Sequence, residues 1–173
     1  MMTTFKTKRL TMRQFCLDDA ESFYLNYALD AENHQYYAAP VYSLDKVKKL
    51  IEYWNIRQIR NNEMRWAIEN NENREVIGII ALYYNKQQLT GEVCFGIGKT
   101  YWGNGLMREI LDALFCHTFA YLKLERVIAA CDVRNERAIS VLKKCGMTYK
   151  KTVQEKCSKC CYFDVYEKTA DIK

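Results

Sequence analysis

A glycine pair at the start of one helix constrains the fold of this chain more than any other local feature. Gly103-Asn104-Gly105 precedes apolar residues that recur every three or four positions as far as Tyr121. Glycine accepts positive φ and lets the backbone approach a ligand closely. The first N–H groups of such a helix, with the positive end of its dipole, can bind an anion. The pattern predicts a strand, a turn and a helix at an anion site, with a merely tight turn as the alternative.

The turn departs from two common nucleotide-binding motifs. A Walker loop would end in Gly-Lys-Ser or Gly-Lys-Thr, whereas Leu106 and Met107 follow Gly105. A dinucleotide fingerprint would place a third glycine where Arg108 stands. The identity of the anion must therefore come from the rest of the sequence.

The remaining segments predict a mixed, mostly antiparallel α/β sheet of about seven strands with about four helices, in the order β-α-α-β-β-β-α-β-α-β-β. Unbroken apolar sequence at 127–131 indicates a strand covered on both faces, and Gly146 is expected to end the last helix. Strands are expected at 9–15, 64–69, 76–84, 92–97, 127–131, 147–153 and 162–166. Helices are expected at about 18–28, from Ser43 to about 58, from 105 to 121 and from Asn135 to 145.

Length and composition indicate a single domain over residues 1–173. Of the 173 residues, 49% are hydrophobic and 27% are charged, which suits a globular fold. No apolar run reaches the roughly 18 residues that a membrane span needs, and the first residues lack a secretory signal. We therefore expect a cytoplasmic protein that does not associate with a membrane. The net charge of +5 suits an anionic ligand but does not require nucleic acid.

Eight cysteines raise the question of a metal site. Cys157, Cys160 and Cys161 are the one cluster among them. Structural zinc normally takes four ligands in two pairs, and the sequence has two histidines, both distant from this cluster. We predict reduced, metal-free thiols in the last hairpin, which zinc analysis of protein purified without added metal would check.

Two segments with a fixed separation carry a resemblance to a known family. Residues 101–109, Tyr-Trp-Gly-Asn-Gly-Leu-Met-Arg-Glu, lie about thirty residues before 135–147, which begins Asn-Glu-Arg-Ala and ends Cys-Gly-Met. With residues 9–13, 66–68, Gly78 and 92–95, they resemble the GNAT superfamily of acetyl-CoA-dependent N-acetyltransferases. The likeness spans about residues 8–168. It is strongest to the branch that acetylates ribosomal-protein N-termini and related amines.

The resemblance implies a binding site for acetyl-CoA and no metal. N–H groups of residues 103–108 would hold the pyrophosphate, and the pantetheine arm would lie between strands 92–98 and 127–131. Asn135 would contact that arm, and it can also cap its helix. Arg108, Lys143 and Lys144 would meet phosphates or simply be solvated. The implied residues are Phe95, Gly96, Ile97, Trp102, Gly103, Asn104, Gly105, Leu106, Met107, Arg108, Asn135, Lys143 and Lys144.

The resemblance also implies direct attack of a neutral amine on the thioester, without a covalent intermediate on the enzyme. Glu92 is the expected general base, with an ordinary surface charge as the alternative. Leu142 and Ala138 stand where relatives often place a Tyr or Ser acid, and neither can donate a proton. The hydroxyl of Tyr101 or Tyr149 could serve as the acid instead.

Three functions follow from these observations. The first is transfer of an acetyl group to a primary amine, whose site we expect at residues 34–42 and the first two helices. The second is a non-catalytic acyl-CoA-binding module, because the acid is missing. The third, nucleic-acid binding, rests on charge alone. A monomer and a homodimer are both open.

Overall fold

The computed structural model describes residues 3–36, 42–60, 62–155 and 161–170. Eight strands within these ranges form one sheet, so the expected count of about seven is one short. β1 was not expected, because two residues that pair with Met12 and Thr11 leave no periodic pattern. The strands are β1 (Phe5–Lys6), β2 (Leu10–Gln14), β3 (Glu63–Asn70), β4 (Val76–Asn85), β5 (Thr90–Ile97), β6 (Arg126–Asp132), β7 (Thr148–Glu155) and β8 (Cys161–Thr169).

The sheet has the order β1-β2-β3-β4-β5-β6-β8-β7 and is antiparallel except between β5 and β6. That parallel pairing joins Thr90 to Arg126, Gly91 to Val127 and Glu92 to Ile128. Beyond Glu92 the two strands are not paired, and a gap opens in the middle of the sheet. The predicted mixed, mostly antiparallel sheet is confirmed.

In the part of the chain that the structure describes, four α-helices pack on the sheet: α1 (Ala20–Phe23), α2 (Leu44–Arg60), α3 (Leu106–Ala120) and α4 (Glu136–Lys144). The helix expected at about 18–28 is present over that range, but it is not one regular α-helix, because a 3₁₀ turn at Leu17–Asp19, α1 and a π-helical segment at Tyr24–Ala28 follow one another there. Apolar spacing does not distinguish these closely related hydrogen-bond patterns. Within the described ranges, no helix is long and apolar enough to cross a bilayer.

Three predicted helix ends are confirmed by their hydrogen bonds. The hydroxyl of Ser43 accepts the N–H of Lys46 at 3.3 Å, and Oδ1 of Asn135 accepts the N–H of Ala138 at 3.1 Å. Gly146 ends α4 with φ +76, and its N–H donates to the carbonyl of Lys143 at 3.0 Å.

Two apolar cores lie on opposite faces of the sheet. One includes Trp66 and Leu82 with α3 and α4, and the other includes Phe23 with α1 and α2. The expectation that β6 is covered on both faces is wrong, since Val127 is buried whereas Ala130 is exposed. The reason is that α1 and α2 pack on β4 and β3, so no helix of this layer covers Ala130.

A partly buried arginine ties the segment before α1 to the sheet. Arg13 on β2 donates to both carboxylate oxygens of Asp19 at 2.7 and 2.8 Å and to Glu69 on β3 at 2.5 Å. Burial opposes ionisation of Asp19, but the bonds from Arg13 and from the N–H of Cys16 lower its pKa from 3.8. This ionic contact therefore joins the start of α1 to β2 and β3.

Candidate active site

The glycine turn has the backbone conformation that the sequence predicts. Gly103 has φ +79, and Gly105, the N-cap of α3, has φ +72. A Cβ atom at Gly103 would meet nothing within 4 Å, and at Gly105 it would meet Arg9 alone, at 3.9 Å. Backbone conformation rather than crowding therefore requires glycine, since the left-handed region costs other residues about 1–2 kcal/mol.

Arg9 holds the turn from the far end of the sequence. Its Nη1 donates to the carbonyl of Asn104 at 2.9 Å, and its Nε donates to Glu109 on α3 at 2.8 Å. The backbone N–H of Arg9 donates to the same carboxylate at 3.0 Å. Burial opposes ionisation of Glu109, but bonds from Thr7 and Arg9 lower its pKa. A separation of 95 to 100 residues hid these contacts from sequence reasoning.

A cleft of about 690 Å³ lies between the glycine turn, the end of β5 and α4. Asn104, Lys143 and Glu92 are not among its lining residues. The side chain of Asn104 donates back to the carbonyl of Trp102, and Lys143 is exposed on α4. The predicted residues that line the cleft are Phe95, Gly96, Ile97, Trp102, Gly103, Gly105, Leu106, Met107, Arg108, Asn135 and Lys144.

The gap between β5 and β6 forms the inner end of the cleft. Phe95, Gly96 and Ile97 lie past the last pair between these strands, so one edge of their backbone faces no partner strand. Tyr27, from the π-helical segment, packs its hydroxyl on Gly96, where a Cβ atom would lie 2.2 Å from that oxygen. Gly96 is thus required for this approach of Tyr27.

Two side chains position the rim of the cleft. Trp102 donates its indole N–H to the carbonyl of Ile97 at 2.8 Å, and the guanidinium of Arg137 on α4 lies 3.9 Å from the centre of the Trp102 ring. Oδ1 of Asn135 is used in capping α4, whereas its side-chain NH₂ group has no bond among the described residues. Arg137 was missed because its partner is more than thirty residues away in the sequence.

A second, smaller pocket of about 190 Å³ adjoins the cleft, and Tyr27 and Phe95 line both. His34 and Tyr42, the ends of the expected acceptor loop, lie in its wall, and residues 37–41 of that loop are outside the described residues. The lining residues are Phe23, Tyr27, Ala28, His34, Tyr42, Trp54, Arg65, Ile79, Ala81, Cys94 and Phe95.

Glu92 is exposed and lines neither cavity. It stands two residues before Cys94 on β5, and alternation along a strand places both on the face of the second pocket. Burial raises the pKa of Cys94 and of Tyr83, the cross-strand neighbour of Glu92, and the negative charge of Glu92 adds to both shifts. Glu92 therefore stands beside the pocket rather than inside it.

Three of the described cysteines are poor nucleophiles near neutral pH. Burial raises the pKa of Cys131 and of Cys145 to about 11, and burial with the charge of Glu92 does the same for Cys94. Among the described residues, no three His, Cys, Asp or Glu side chains are grouped as a metal site would need. Cys157 and Cys160 lie outside them, so the prediction of metal-free thiols stays a prediction.

The positions of the hydroxyl groups limit which side chain could protonate the leaving thiolate. Leu142 is fully buried, and Ala138 lines the cleft without a proton to give. Tyr149 bonds to Thr152 on β7 and is not a lining residue, whereas Tyr101 is one. Burial and the nearby Glu75 raise the pKa of Tyr101. Ser140 and Tyr36, which the sequence did not single out, also line the cleft.

A family model for the acetyltransferase (GNAT) domain matches residues 9–148. The chain belongs to the GNAT acetyltransferase family. It is 26% identical over 147 residues to the uncharacterized N-acetyltransferase YoaA of Bacillus subtilis (strain 168), covering 84% of this chain and 83% of that one. The family assignment confirms the resemblance seen in residues 101–109 and 135–147.

Solved structures show the same fold. The ribosomal-protein-S5-alanine acetyltransferase of Vibrio fischeri superposes with a TM-score of 0.82 at 18% identity, covering 98% of each chain. RimL, a ribosomal L7/L12 α-N-protein acetyltransferase solved in complex with coenzyme A, superposes with a TM-score of 0.86 at 15% identity, covering 96% of this chain and 98% of that one. The neighbours thus include members of the branch that the sequence resembles.

Proposed function

We propose that this GNAT protein transfers the acetyl group of acetyl-CoA to a primary amine, by direct attack while both substrates are bound. The observation that carries the proposal is one cleft that joins the glycine turn at the start of α3 to the unpaired backbone edge of β5. The anionic pyrophosphate of the coenzyme would bind at the turn, and its amide-bearing pantetheine arm would bind along the strand edge.

The turn suits the pyrophosphate of the coenzyme. The helical bond from the N–H of Glu109 to the carbonyl of Gly105 leaves the N–H groups before it without helical acceptors. Arg108 and Lys144 also line the cleft and add positive charge. Met107, which replaces the small residue usual in the family, is 8% exposed and packs in the core.

The inner end of the cleft suits the pantetheine arm. The backbone edge at Phe95, Gly96 and Ile97 would pair with the amides of the arm as a neighbouring strand would. The side-chain NH₂ group of Asn135 would donate to the same arm from the other wall. Both contacts would hold the thioester where the cleft meets the second pocket.

Glu92 is proposed as the general base. Its place beside the second pocket suits proton removal through a water molecule, because it lines neither cavity directly. The nitrogen–carbon bond forms as the carbon–sulfur bond breaks, and a thiol with an ordinary pKa near 8.5 is a tolerable leaving group without an acid. Tyr101, in the cleft lining, could still protonate the sulfur.

An α-amine is the preferred acceptor in this proposal. Its pKa is about 8, against about 10.4 for a lysine amine, so its neutral form is favoured by roughly 3 kcal/mol at neutral pH. A site with few acid–base groups gains most from an amine that loses its proton more easily. Faster turnover of lysine side chains than of peptide N-termini would contradict this choice.

Titration of acetyl-CoA into Gly105→Val tests the cofactor site. We expect at least a hundredfold loss of affinity, because a left-handed N-cap with a branched side chain displaces the N–H groups. Gly146→Val is the matched control, since Gly146 has nearly the same φ, +76, at the far end of α4. Wild-type affinity in Gly105→Val would show that the site is elsewhere.

A non-catalytic acyl-CoA-binding module is the second candidate, favoured by Leu142 and Ala138 at the positions of the usual acids. Assaying CoA release with peptides, polyamines, aminoglycosides and amino acids separates the two. Binding of acetyl-CoA without turnover of any amine would support the module. Cytoplasmic location, a monomer or homodimer, and the absence of nucleic-acid and membrane partners remain predictions.

A further inference from the structure

We propose that the second pocket receives an aromatic group attached close to the acceptor amine. The substrate class would be amines such as an α-amine on a first residue with an aromatic side chain, or an arylalkylamine. This inference rests on the proposed acetyl transfer, and it adds what the acceptor must carry beside its nitrogen.

The pocket lies where an acceptor would have to approach. Tyr27 and Phe95 line both cavities, so a group in the pocket lies directly next to the end of the cleft. Ala81 and Cys94, a cross-strand pair on β4 and β5, form its floor on the sheet. An amine attached to a group on this floor would point toward the proposed thioester position.

The walls of the pocket are aromatic and are already arranged around one another. The ring of His34 lies edge-on to those of Tyr27 and Tyr42, with centroids 5.3 and 5.9 Å apart. Phe23 and Trp54 meet edge-on at 6.1 Å on another wall. Edge-to-face contacts of this kind favour a further aromatic ring.

The size of the pocket agrees with a single ring. Its volume is about 190 Å³. An apolar protein cavity of about 150 Å³ is enough to bind benzene. The pocket can thus hold one aromatic side chain, whereas a linked pair of sugar rings would not fit.

The charges around the pocket disfavour an ionic group. Its described lining residues include no carboxylate, and Glu92, which stands beside the pocket, is assigned to the acceptor amine itself, so no lining carboxylate would neutralise a second ammonium of a polyamine. Arg65 is the one arginine among them, and it already forms an ion pair with Glu63 and donates to the hydroxyl of Tyr83. Its guanidinium lies over the ring of Trp54, 5.3 Å from the centroid. Arg65 therefore acts as part of the wall rather than as a carboxylate receptor.

Binding and turnover test the pocket separately. The first measurement is calorimetric binding of 2-phenylethylamine to the full chain in the presence of CoA, with spermidine as comparison. The second is kcat/KM for two peptides that differ only in a first residue of Phe or Ala. We expect phenylethylamine to bind and spermidine not to, and the Phe peptide to be favoured at least tenfold.

Cys94→Trp fills the floor of the pocket and should remove most of the preference for the Phe peptide and weaken phenylethylamine binding at least tenfold. Cys116→Trp, at an exposed position on α3, is the matched control and should change neither. Ala81→Val provides a smaller change of the same kind if Cys94→Trp does not fold.

The outcomes separate the two proposals. If phenylethylamine does not bind, or if the wild type treats the two peptides alike, the aromatic pocket is wrong even when acetyl transfer occurs. If phenylethylamine binds and Cys94→Trp abolishes that binding, but no amine is acetylated, the pocket is supported and the proposed acetyl transfer is wrong.

Discussion

The two cavities that meet at Tyr27 and Phe95 are built from different parts of the chain. The cleft is built around the glycine turn, the backbone at the end of β5 and the start of α4, whereas the second pocket uses side chains from helices, loops and three strands. Backbone groups recognise a ligand with little dependence on side-chain identity, but the pocket depends on each residue in its wall. The acceptor side can therefore change by substitution while the proposed coenzyme side stays the same.

The supports of the two cavities differ as well. The side chains of Arg9 and Glu109 at the glycine turn are 45% and 21% exposed. Those of Arg13 and Asp19, at the start of the helix α1 that carries Phe23 of the second pocket, are 24% and 6% exposed. A contact shielded from water contributes more than one that water and salt screen. We therefore expect changes at Arg13 to cost stability and changes at Arg9 to cost coenzyme affinity.

Arg13→Gln should have the largest effect. It leaves the buried carboxylates of Asp19 and Glu69 without their shared partner, and breaking a buried ion pair costs about 3–5 kcal/mol of the free energy of unfolding. Urea unfolding followed by circular dichroism measures the loss. Arg74→Gln is the matched control, because Arg74 also pairs with Glu69 but its side chain is 71% exposed. Equal losses in both variants would contradict the difference in burial.

The same contact predicts how stability varies with pH. A carboxyl group whose pKa is lowered by folding stabilises the protein above its unfolded pKa and loses that contribution as the pH falls through its folded value. The pKa of Asp19 is lowered from 3.8, so the free energy of unfolding of the wild type should fall below about pH 4. Arg13→Gln should show a shallower fall, and an identical slope would remove Asp19 from this account.

Glu92→Gln tests the proposed proton acceptor beside the second pocket. We expect kcat/KM at neutral pH to fall at least tenfold, because the amine loses its proton acceptor. Much of the loss should return at high pH, where the amine is already neutral. Acetyl-CoA affinity should stay close to that of the wild type. An unchanged pH–rate profile would exclude Glu92 from the mechanism.

Arg9→Gln should have a smaller effect, confined to the coenzyme side. Its contacts with Asn104 and Glu109 are half-exposed, so we expect a loss of about 1 kcal/mol, or roughly fivefold in acetyl-CoA affinity. Titration calorimetry gives this value, with Lys8→Gln at the exposed neighbouring position as control. If Arg9→Gln altered the ratio of the Phe and Ala peptides instead, the separation of the two sides would be wrong.

The smallest expected signal is the alkylation of two thiols, one on each side. Cys94 lines the second pocket, and Cys145 lies 4.0 Å from the carbonyl of Arg108 behind the turn. Both pKa values are about 11, so iodoacetamide should react slowly near neutral pH and faster as the pH rises toward 11. In peptide mapping, phenylethylamine should slow the labelling of Cys94 alone. Equal protection of Cys145 would show that the ligand acts on the whole fold.

Local patterns were enough to predict most elements and the glycine turn. Ser43, Asn135 and Gly146 act within a few residues of themselves, so the sequence shows their roles directly. The contact of Arg9 with Glu109 and that of Arg137 with Trp102 join distant segments and leave no periodic trace. The second pocket was missed for the same reason, although residues 34–42 were expected near the acceptor. Whether the whole of residues 1–173 is one domain stays a prediction.

The three residue pairs between β5 and β6 also bear on how the molecule opens. Among the described residues, the part of the sheet formed by β6, β8 and β7 pairs with the other five strands through those three pairs, and the N–H of Glu125 adds a bond to the carbonyl of Leu89 at 2.8 Å. Local opening free energies vary across a protein, and a boundary with few strand hydrogen bonds is a natural place for a partial opening. A ligand that spans both parts at a hundred times its Kd adds about 2.7 kcal/mol to the closed state. Amide hydrogen exchange at residues 90–92 and 126–128 should then slow more than exchange in α2 when the coenzyme binds. The gap proposed to bind the coenzyme would thus also be the boundary whose opening the coenzyme suppresses.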